Sequence, residues 1–225
     1  MTAPRQGAPA WVVHDLGRVP YREGWEAQRR QVDARLAGEA GDALLVCEHD
    51  PVVTTGRGTE DDAVLDPRFP VEAVERGGAA TYHGPGQVVV YPVVLLAPGR
   101  RDLHAWLRAL EEACITTLAG FGLSCGRREG ATGVWVDGSR KIVSLGVAAR
   151  RWVSWHGLAL NHETDLSHFG VIRPCGFDAE VMTSLRAELG DDCPDRATLV
   201  AALVPALQRE LAPFREPAAA GSPSP

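Results

Sequence analysis

Lysine is almost absent from this chain. One lysine, Lys141, stands among 23 basic residues, so the other 22 are arginines. A guanidinium stays protonated at physiological pH, whereas the pKa of a lysine amine falls readily on burial, so lysine can exchange protons where arginine cannot. Lys141 also follows a tight turn at Asp137 and Gly138, where an ordinary surface lysine of a β-hairpin is common. A catalytic role for Lys141 and an ordinary place at the protein surface both stay open at this point.

Features that mark several other classes of protein are missing as well. No apolar run approaches the roughly 20 residues that cross a membrane, and residues 1–10 hold no apolar stretch typical of a secretory signal. We therefore expect a cytoplasmic protein that does not enter a membrane. The formal net charge is −6 and no basic stripe is present, so nucleic acid is not an expected partner.

The cysteines and histidines show no metal-binding pattern. The five cysteines are widely spaced, their number is odd and no CxxC pair occurs, which favours reduced thiols over a disulfide framework. His156, His162 and His168 are six residues apart, a spacing typical of neither a helical nor a strand pair of zinc ligands. We expect no metal site.

One cysteine differs from the others in its surroundings. Cys47 and Cys114 lie in apolar stretches and are predicted to be core residues. Cys175 lies between a proline and a glycine, after a polar segment that we interpret as a loop. A nucleophilic thiol needs a histidine or a lysine that favours the thiolate, and the sequence alone leaves a structural role for Cys175 equally open.

The chain is organised around a glycine-rich run. Residues 76–91 hold four of the 24 glycines, many hydrogen-bonding side chains and a central histidine, His83. The run leads into a β-branched strand at 87–96, and we interpret it as a loop that opens onto a strand end. It matches neither GxxxxGK[ST] nor GxGxxG, so a nucleotide site is weakly supported. An ordinary turn is the alternative.

Hydrophobic periodicity predicts a single α+β domain over residues 11–213, with a flexible segment at 1–10 and a disordered tail at 214–225. The last two predicted helices could form a small appended lobe. Pro92 should fall at a strand edge or a bulge, and Pro205 should kink or split the last helix. The predicted strands cover 11–14, 42–48, 52–55, 71–75, 87–96, 131–136, 140–148 and 151–160, and the predicted helices cover 21–40, 103–121, 179–189 and 194–212.

Three stretches together resemble the octanoyltransferases, which are also called the lipoate–protein ligase B family. The first is RGGAATYHGPGQ at 76–87, the second is GVWV at 133–136 with RKI at 140–142, and the third is HGLALN at 156–161 with TDL at 164–166 and PCG at 174–176. The resemblance runs from about Trp11 to Leu211. His162 departs from it, because an apolar residue is expected there, but this position carries no proposed catalytic role.

The resemblance implies the mixed sheet and flanking helices of biotin and lipoate ligases. It also implies transfer of an octanoyl group from acyl carrier protein to a lysine of a lipoyl domain, without a cofactor. In the family a cysteine forms the acyl-thioester and a lysine lowers its pKa, which assigns these roles to Cys175 and Lys141. The implied acyl-pocket residues are Arg76, Gly77, Gly78, Ala79, Ala80, Thr81, Tyr82, His83, Ser144, Leu145, Gly146, Gly157, Leu158 and Ala159.

The implied partners are octanoyl-acyl carrier protein and the lipoyl domains of 2-oxoacid dehydrogenase complexes and of the glycine cleavage H protein. Acidic faces on both partners would dock on arginine patches such as Arg150 and Arg151, and we expect a monomer. Three other functions are considered. They are an ATP-dependent lipoate–protein ligase of the same fold, a non-catalytic carrier-binding module, and a thioesterase that resolves the same acyl-enzyme with water.

Overall fold

The computed structural model describes residues 11–173 and 181–216. Ten strands lie within these residues: β1 (Val12–Val19), β2 (Ala43–His49), β3 (Val52–Thr55), β4 (Val71–Ala73), β5 (Thr81–His83), β6 (Gln87–Leu95), β7 (Cys125–Arg128), β8 (Ala131–Val136), β9 (Arg140–Arg150) and β10 (Val153–Asn161). The α-helices there are α1 (Tyr21–Ala37), α2 (Leu103–Gly120), α3 (Leu185–Leu189) and α4 (Arg196–Leu211). Strands β5 and β7 were not predicted.

The strands form one large and one small mixed sheet. The seven-stranded sheet has the order β1-β2-β6-β10-β9-β8-β7, and the three-stranded sheet has the order β4-β3-β5. Strands β1 and β2 pair in parallel, and the other neighbours in the large sheet are antiparallel. The prediction of an α+β fold with a mixed sheet flanked by helices is confirmed.

Helices cover both faces of the large sheet. Side chains of β6 alternate between the faces, as the period of two in a strand requires. Val88 and Val90 pack into the cluster that includes α2 and α4, whereas Val89 packs into the cluster that includes α1. The leucines of α4 therefore share one core with the sheet. Asp102 caps α2 as its position suggests, since its carboxylate accepts the N–H groups of His104 and Ala105. None of the described helices is long and apolar enough to cross a membrane.

Both prolines lie in places that differ from the expectation. Pro92 belongs to β6, an internal strand, but the Cα partners of β6 and β10 pass directly from Val94–Ser154 to Val90–Leu158, so the ladder is interrupted beside it. The Ser154 hydroxyl donates to the Pro92 carbonyl at 2.9 Å there. Pro205 does not split α4, because the helix continues through it to Leu211 with its apolar side buried in the core.

The segment before α4 carries less helix than predicted. A helix was expected over 179–189, but within the described part of it α3 covers Leu185–Leu189, with the Ser184 hydroxyl accepting the Ala187 N–H. Residues 174–180, which include Cys175, lie outside the described residues, as do 1–10 and 217–225.

A buried carboxylate joins α1, β6 and the end of the described chain. The side chain of Asp42 is 0% exposed and lies 2.8 Å from Arg35 Nε and 2.7 Å from Arg215 Nε. It also accepts the N–H of Leu95 at 3.1 Å. Removal of one partner of such a buried pair is strongly destabilising, because the remaining charge stays desolvated.

We expect Asp42→Ala to lower the free energy of unfolding by about 3–5 kcal/mol, measured by urea denaturation. Asp50→Ala is the matched control, because Asp50 pairs with Arg18 at 2.8 Å with both side chains about half exposed. The control should lose less than about 1 kcal/mol. Equal losses in the two variants would contradict a structural role for the buried pair.

Candidate active site

A largely apolar pocket lies on the α1 side of the large sheet, beneath the glycine-rich run. About 470 Å³ of space lies between its lining residues, counted together with the open solvent at the mouth of the pocket. Its base is formed by β6, β9 and β10. The lining residues are Tyr21, Arg76, Gly78, Ala79, Thr81, His83, Val89, Tyr91, Ser144, Leu145, Gly146, His156, Gly157, Leu158 and Ala159.

Two paired glycines lie at the base of the pocket. Gly146 and Gly157 are Cα partners on β9 and β10. A Cβ on Gly146 would lie 2.8 Å from the carbonyl oxygen of Gly77, so a side chain there would lift the covering loop from the sheet. A Cβ on Gly157 would lie 2.3 Å from the carbonyl oxygen of Val90, so a side chain there would push against β6.

Arg76 organises the loop from inside. Its guanidinium donates to the carbonyl oxygen of Ala79 at 2.7 Å and to the carbonyl oxygen and hydroxyl of Thr54 at 2.8 and 2.9 Å. The side chain is buried, and these bonds join the loop to β3 of the small sheet. Arg76 therefore contributes to the pocket wall mainly by fixing the path of the backbone.

A chain of buried amides links the glycine-rich run to the strand of Lys141. His83 Nδ1 donates to Gln87 Oε1 at 2.7 Å, and Gln87 Nε2 donates to Asn161 Oδ1 at 2.9 Å. Asn161 Nδ2 donates to the carbonyl oxygen of Thr183 at 2.9 Å, and the Thr183 N–H donates to the carbonyl oxygen of Lys141 at 3.0 Å. This chain of bonds fixes the pocket wall relative to Lys141.

Lys141 lies in a groove that adjoins the pocket. The groove and the pocket share Gly78, Ala79, Leu145 and Gly146 as a common wall. The Lys141 side chain is 3% exposed, and Nζ lies 5.4 Å from the centroid of the Trp135 ring. Gly133 makes room for it, since a Cβ there would lie 2.6 Å from Lys141 Cε. Gly133 belongs to the quoted motif but was not among the predicted site residues.

The predicted pocket residues do not all face the pocket. Gly77 lines the adjoining groove. Tyr82 points away, with its hydroxyl 2.8 Å from His168 Nδ1 and its ring against Phe169. Ala80 is buried in the same satellite core as Tyr82. Both corrections follow from β5, because Thr81 and His83 point to one face of that strand and Tyr82 to the other.

Four residues that line the pocket were missed by the sequence analysis: Tyr21, Val89, Tyr91 and His156. Val89 and Tyr91 share one face of β6, so strand alternation could have indicated them. Tyr21 is brought in by the first turn of α1, which no local pattern places beside β6. His156 belongs to the quoted HGLALN motif, but its orientation depends on its backbone conformation.

One histidine, glutamate and cysteine group approaches metal-binding geometry away from the pocket. His162, Glu163 and Cys193 place candidate ligand atoms within 4.8 Å of one another. Glu163 is already held by the Arg186 guanidinium, and His162 Nε2 lies 2.7 Å from the Pro194 carbonyl oxygen. These contacts within the protein account for the grouping.

The family model for the lipoyl protein ligase A/B catalytic domain matches residues 20–211. The chain belongs to this family. It is 44% identical to the octanoyltransferase of Geobacter metallireducens over 92% of this chain and 98% of that protein. It is 42% identical to the octanoyltransferase of Chromohalobacter salexigens over 93% of this chain and 94% of that protein. The prediction of an octanoyltransferase, an acyl-transferring enzyme of protein lipoylation, is confirmed.

Several solved structures share the fold of this chain. A bi-partite lipoate protein ligase from Thermoplasma acidophilum superposes with a TM-score of 0.66 at 17% identity, over 92% of this chain and 84% of that one. A lipoate-protein ligase A bound with ATP superposes with a TM-score of 0.68 at 17% identity, over 92% of this chain and 85% of that one. A biotin protein ligase of Aquifex aeolicus superposes with a TM-score of 0.52 at 11% identity, over 89% of this chain and 68% of that one. The predicted biotin and lipoate ligase-like fold is thereby confirmed.

The two pocket histidines are neutral at physiological pH. Burial lowers the pKa of His83 to about 3, and the neighbouring His49 adds to the effect. Burial also lowers the pKa of His156 to about 3, assisted by the positive charge of Arg76. Both imidazoles therefore present uncharged rings to the pocket, which Arg76 also lines.

These histidines should make the protein less stable in mild acid. Their folded pKa values lie near 3, and the unfolded value is about 6.5. The unfolded state then binds more protons between these values, so stability is complete above about pH 6.5 and falls as the pH decreases. Each histidine should lower the free energy of unfolding by about 2 kcal/mol at pH 5 relative to pH 7.5, measured by urea denaturation at the two pH values.

His156→Asn is the control for this pH dependence. It keeps a residue that tolerates the left-handed backbone of position 156 (φ 56°) but removes the titrating group. The loss of stability between pH 7.5 and 5 should shrink by about 2 kcal/mol. Carboxylates with lowered pKa values, such as Asp15, weaken the fold only below that window. An unchanged loss in the variant would contradict the assignment.

Proposed function

We propose that this octanoyltransferase takes the octanoyl group from acyl carrier protein as a thioester on Cys175 and passes it to the lysine of a lipoyl domain, with Lys141 as proton acceptor. One observation supports the proposal: an apolar pocket adjoins the groove that holds Lys141, the single lysine of the chain. The acceptors would be lipoyl domains of 2-oxoacid dehydrogenase complexes and of the glycine cleavage H protein, in the cytoplasm.

The described residues on either side of Cys175 support its assignment to this groove. Arg173 lines the groove, and Met182 forms a bridge with Lys141. The chain therefore leaves the described region at the groove and re-enters it beside Lys141. The described residues that flank the segment of Cys175 on both sides therefore lie at the groove.

Each chemical step balances without an external energy source. The Cys175 thiolate attacks the carrier thioester carbonyl, and the carbon–sulfur bond to the carrier breaks. The carrier leaves as a thiolate and takes up a proton from the Lys141 ammonium, which leaves Lys141 neutral. Exchange of one thioester for another is nearly isoenergetic. The acceptor amine then attacks the acyl-enzyme, gives up a proton to Lys141, and releases the Cys175 thiolate as the amide forms.

The surroundings of Lys141 suit a residue that moves protons. Its burial beside Trp135 excludes bulk water, and the space left by Gly133 admits a slender alkyl stem. An arginine would place a planar, permanently charged group there. The pocket provides the matching site for the acyl chain, where each buried methylene contributes about 0.8 kcal/mol.

The acyl-enzyme can be observed directly. Incubation with octanoyl-acyl carrier protein, without ATP, should add one octanoyl group to the intact protein mass, and Cys175→Ala should abolish the adduct. Addition of an apo lipoyl domain should then move the group to that domain. An adduct that requires ATP would support a ligase, and an adduct released only as octanoate would support a thioesterase.

Lys141→Arg separates charge from proton transfer. The variant keeps a cation beside the thiol but cannot accept a proton, so octanoyl transfer should fall about 100-fold or more. Arg140→Lys, at the neighbouring residue, is the control, because Arg140 pairs at the surface with Glu188 and should leave transfer nearly unchanged. Equal activities of the Lys141 variant and the unaltered protein would overturn the assigned role.

We propose a different docking surface for the carrier from the one expected. Arg150 and Arg151 were the expected patch, but Arg150 lies nine residues along β9 from Lys141, a distance of about 30 Å at roughly 3.3 Å per residue. Arg173 is exposed and lines the Lys141 groove itself. We therefore infer that an acidic carrier face docks around Arg173.

Charge reversal tests this docking surface. Arg173→Glu should raise KM for the octanoyl carrier about fivefold at low salt, which corresponds to about 1 kcal/mol. The difference should shrink as salt is added. Arg150→Glu is the matched control and should leave KM unchanged. A larger effect at Arg150 than at Arg173 would place the docking surface at the far end of β9.

A further inference from the structure

The imidazole of His156 lies at the end of the apolar pocket that is remote from Lys141. Along the α1 face of the sheet, the Ser144–Ala159 pair is followed by Gly146–Gly157 and then by Ala148–Trp155. The first two pairs line the pocket, and the third lines a separate open groove. His156 lies between the glycine pair and Trp155, so it occupies the boundary between the two spaces.

Backbone conformation puts the His156 side chain on this face. Strand alternation would send it to the opposite side, because Trp155 and Ala159 face α1 and Leu158 faces α2. The positive φ of His156, 56°, breaks the alternation. The His156 ring stacks on Trp155 with centroids 4.4 Å apart. The backbone N–H of His156 donates to the side-chain oxygen of Gln28 in α1 at 2.8 Å. The strand ladder is interrupted here, so α1 supplies the missing acceptor.

The imidazole is a polar end to an apolar channel. His156 is 2% exposed, and its Nε2 atom is buried without a hydrogen-bond partner in residues 11–173 and 181–216. The Glu75 carboxylate lies 3.7 Å from Nε2 on the side of the open groove. An alkyl chain that runs over the two glycines from the Lys141 side therefore ends against a ring that packing holds in place.

We propose that His156 sets the maximum length of the acyl chain, by separating the pocket from the open groove lined by Trp25, Val32 and Ala148. This inference rests on the proposed acyl transfer. A longer chain must displace the stacked imidazole, which is backed by Trp155 and Glu75. Without the imidazole, a longer chain can continue over Ala148 into the groove. Its lining offers the apolar surface of Trp25, Val32 and Trp155 among the charged side chains of Arg29, Arg57, Glu75 and Arg150.

Acylation of Cys175 by carriers loaded with octanoyl, decanoyl or dodecanoyl groups tests this proposal. Adduct formation is followed by intact mass at equal carrier concentration. The unaltered protein should form the dodecanoyl adduct at least about tenfold more slowly than the octanoyl adduct. His156→Gly, which suits the positive φ, should raise the dodecanoyl-to-octanoyl rate ratio by roughly tenfold, since burial of two of the four additional methylenes corresponds to about that factor.

Trp152→Gly is the matched control. Trp152 is also an aromatic residue at positive φ (68°), but it lies at the surface turn before β10, outside the pocket. The dodecanoyl-to-octanoyl rate ratio of the Trp152→Gly variant should equal that of the unaltered protein. His156→Asn, which also tolerates this backbone, provides a second and smaller opening if the glycine variant is too unstable.

The outcomes separate the two proposals. Absence of any octanoyl adduct on the unaltered protein would refute the proposed acyl-enzyme. An octanoyl adduct together with equally fast dodecanoylation of the unaltered protein would refute the length limit. The limit is also refuted if the rate ratio of the histidine variants stays unchanged.

Discussion

The site depends on the buried amide chain that runs from His83 through Gln87 and Asn161 to Thr183. Each of these polar groups is buried, and an unpaired buried amide would cost about 1–3 kcal/mol, so the bonds hold as a set. They join the glycine-rich run, β10 and the segment before α3. The last bond, from the Thr183 N–H to the Lys141 carbonyl, connects this network to β9, the strand that carries the lysine. This network and the bonds of Arg76 to Ala79 and Thr54 together hold the glycine-rich wall of the pocket in place.

The neutrality of the network matters as much as its geometry. His83 is deprotonated because burial lowers its pKa to about 3. A neutral ring can donate through Nδ1 to Gln87 and accept through Nε2 from the Thr54 hydroxyl, which lies 3.3 Å away. Arg76 donates to the same hydroxyl. The bonds of His83 are thus used for structure, which leaves Lys141 as the better candidate for proton transfer.

The parts of the site that could be predicted were those encoded within a few residues of sequence. The glycine-rich run, the turn before Lys141 and the apolar periodicity of α1 and α2 are local patterns, and the family resemblance added their order. The missed features depend on other parts of the chain. β5 is three residues long, too short to show the alternation that turns Tyr82 away. The orientation of His156 requires a positive φ at a residue other than glycine, which Gln28 of α1 accommodates from 128 residues away.

Pro92 shows how one sequence constraint shapes the pocket. Proline lacks an N–H, so a ladder bond is missing wherever it enters an internal strand. In β6 this gap coincides with the stretch of β10 between Ser154 and Leu158 that pairs with β9 but not with β6. That stretch contains His156, whose backbone N–H donates to Gln28, and Gly157, whose missing side chain leaves room for Pro92 Cδ. Proline, expected at an edge or a bulge, thus accompanies the interruption at which His156 departs from the ladder.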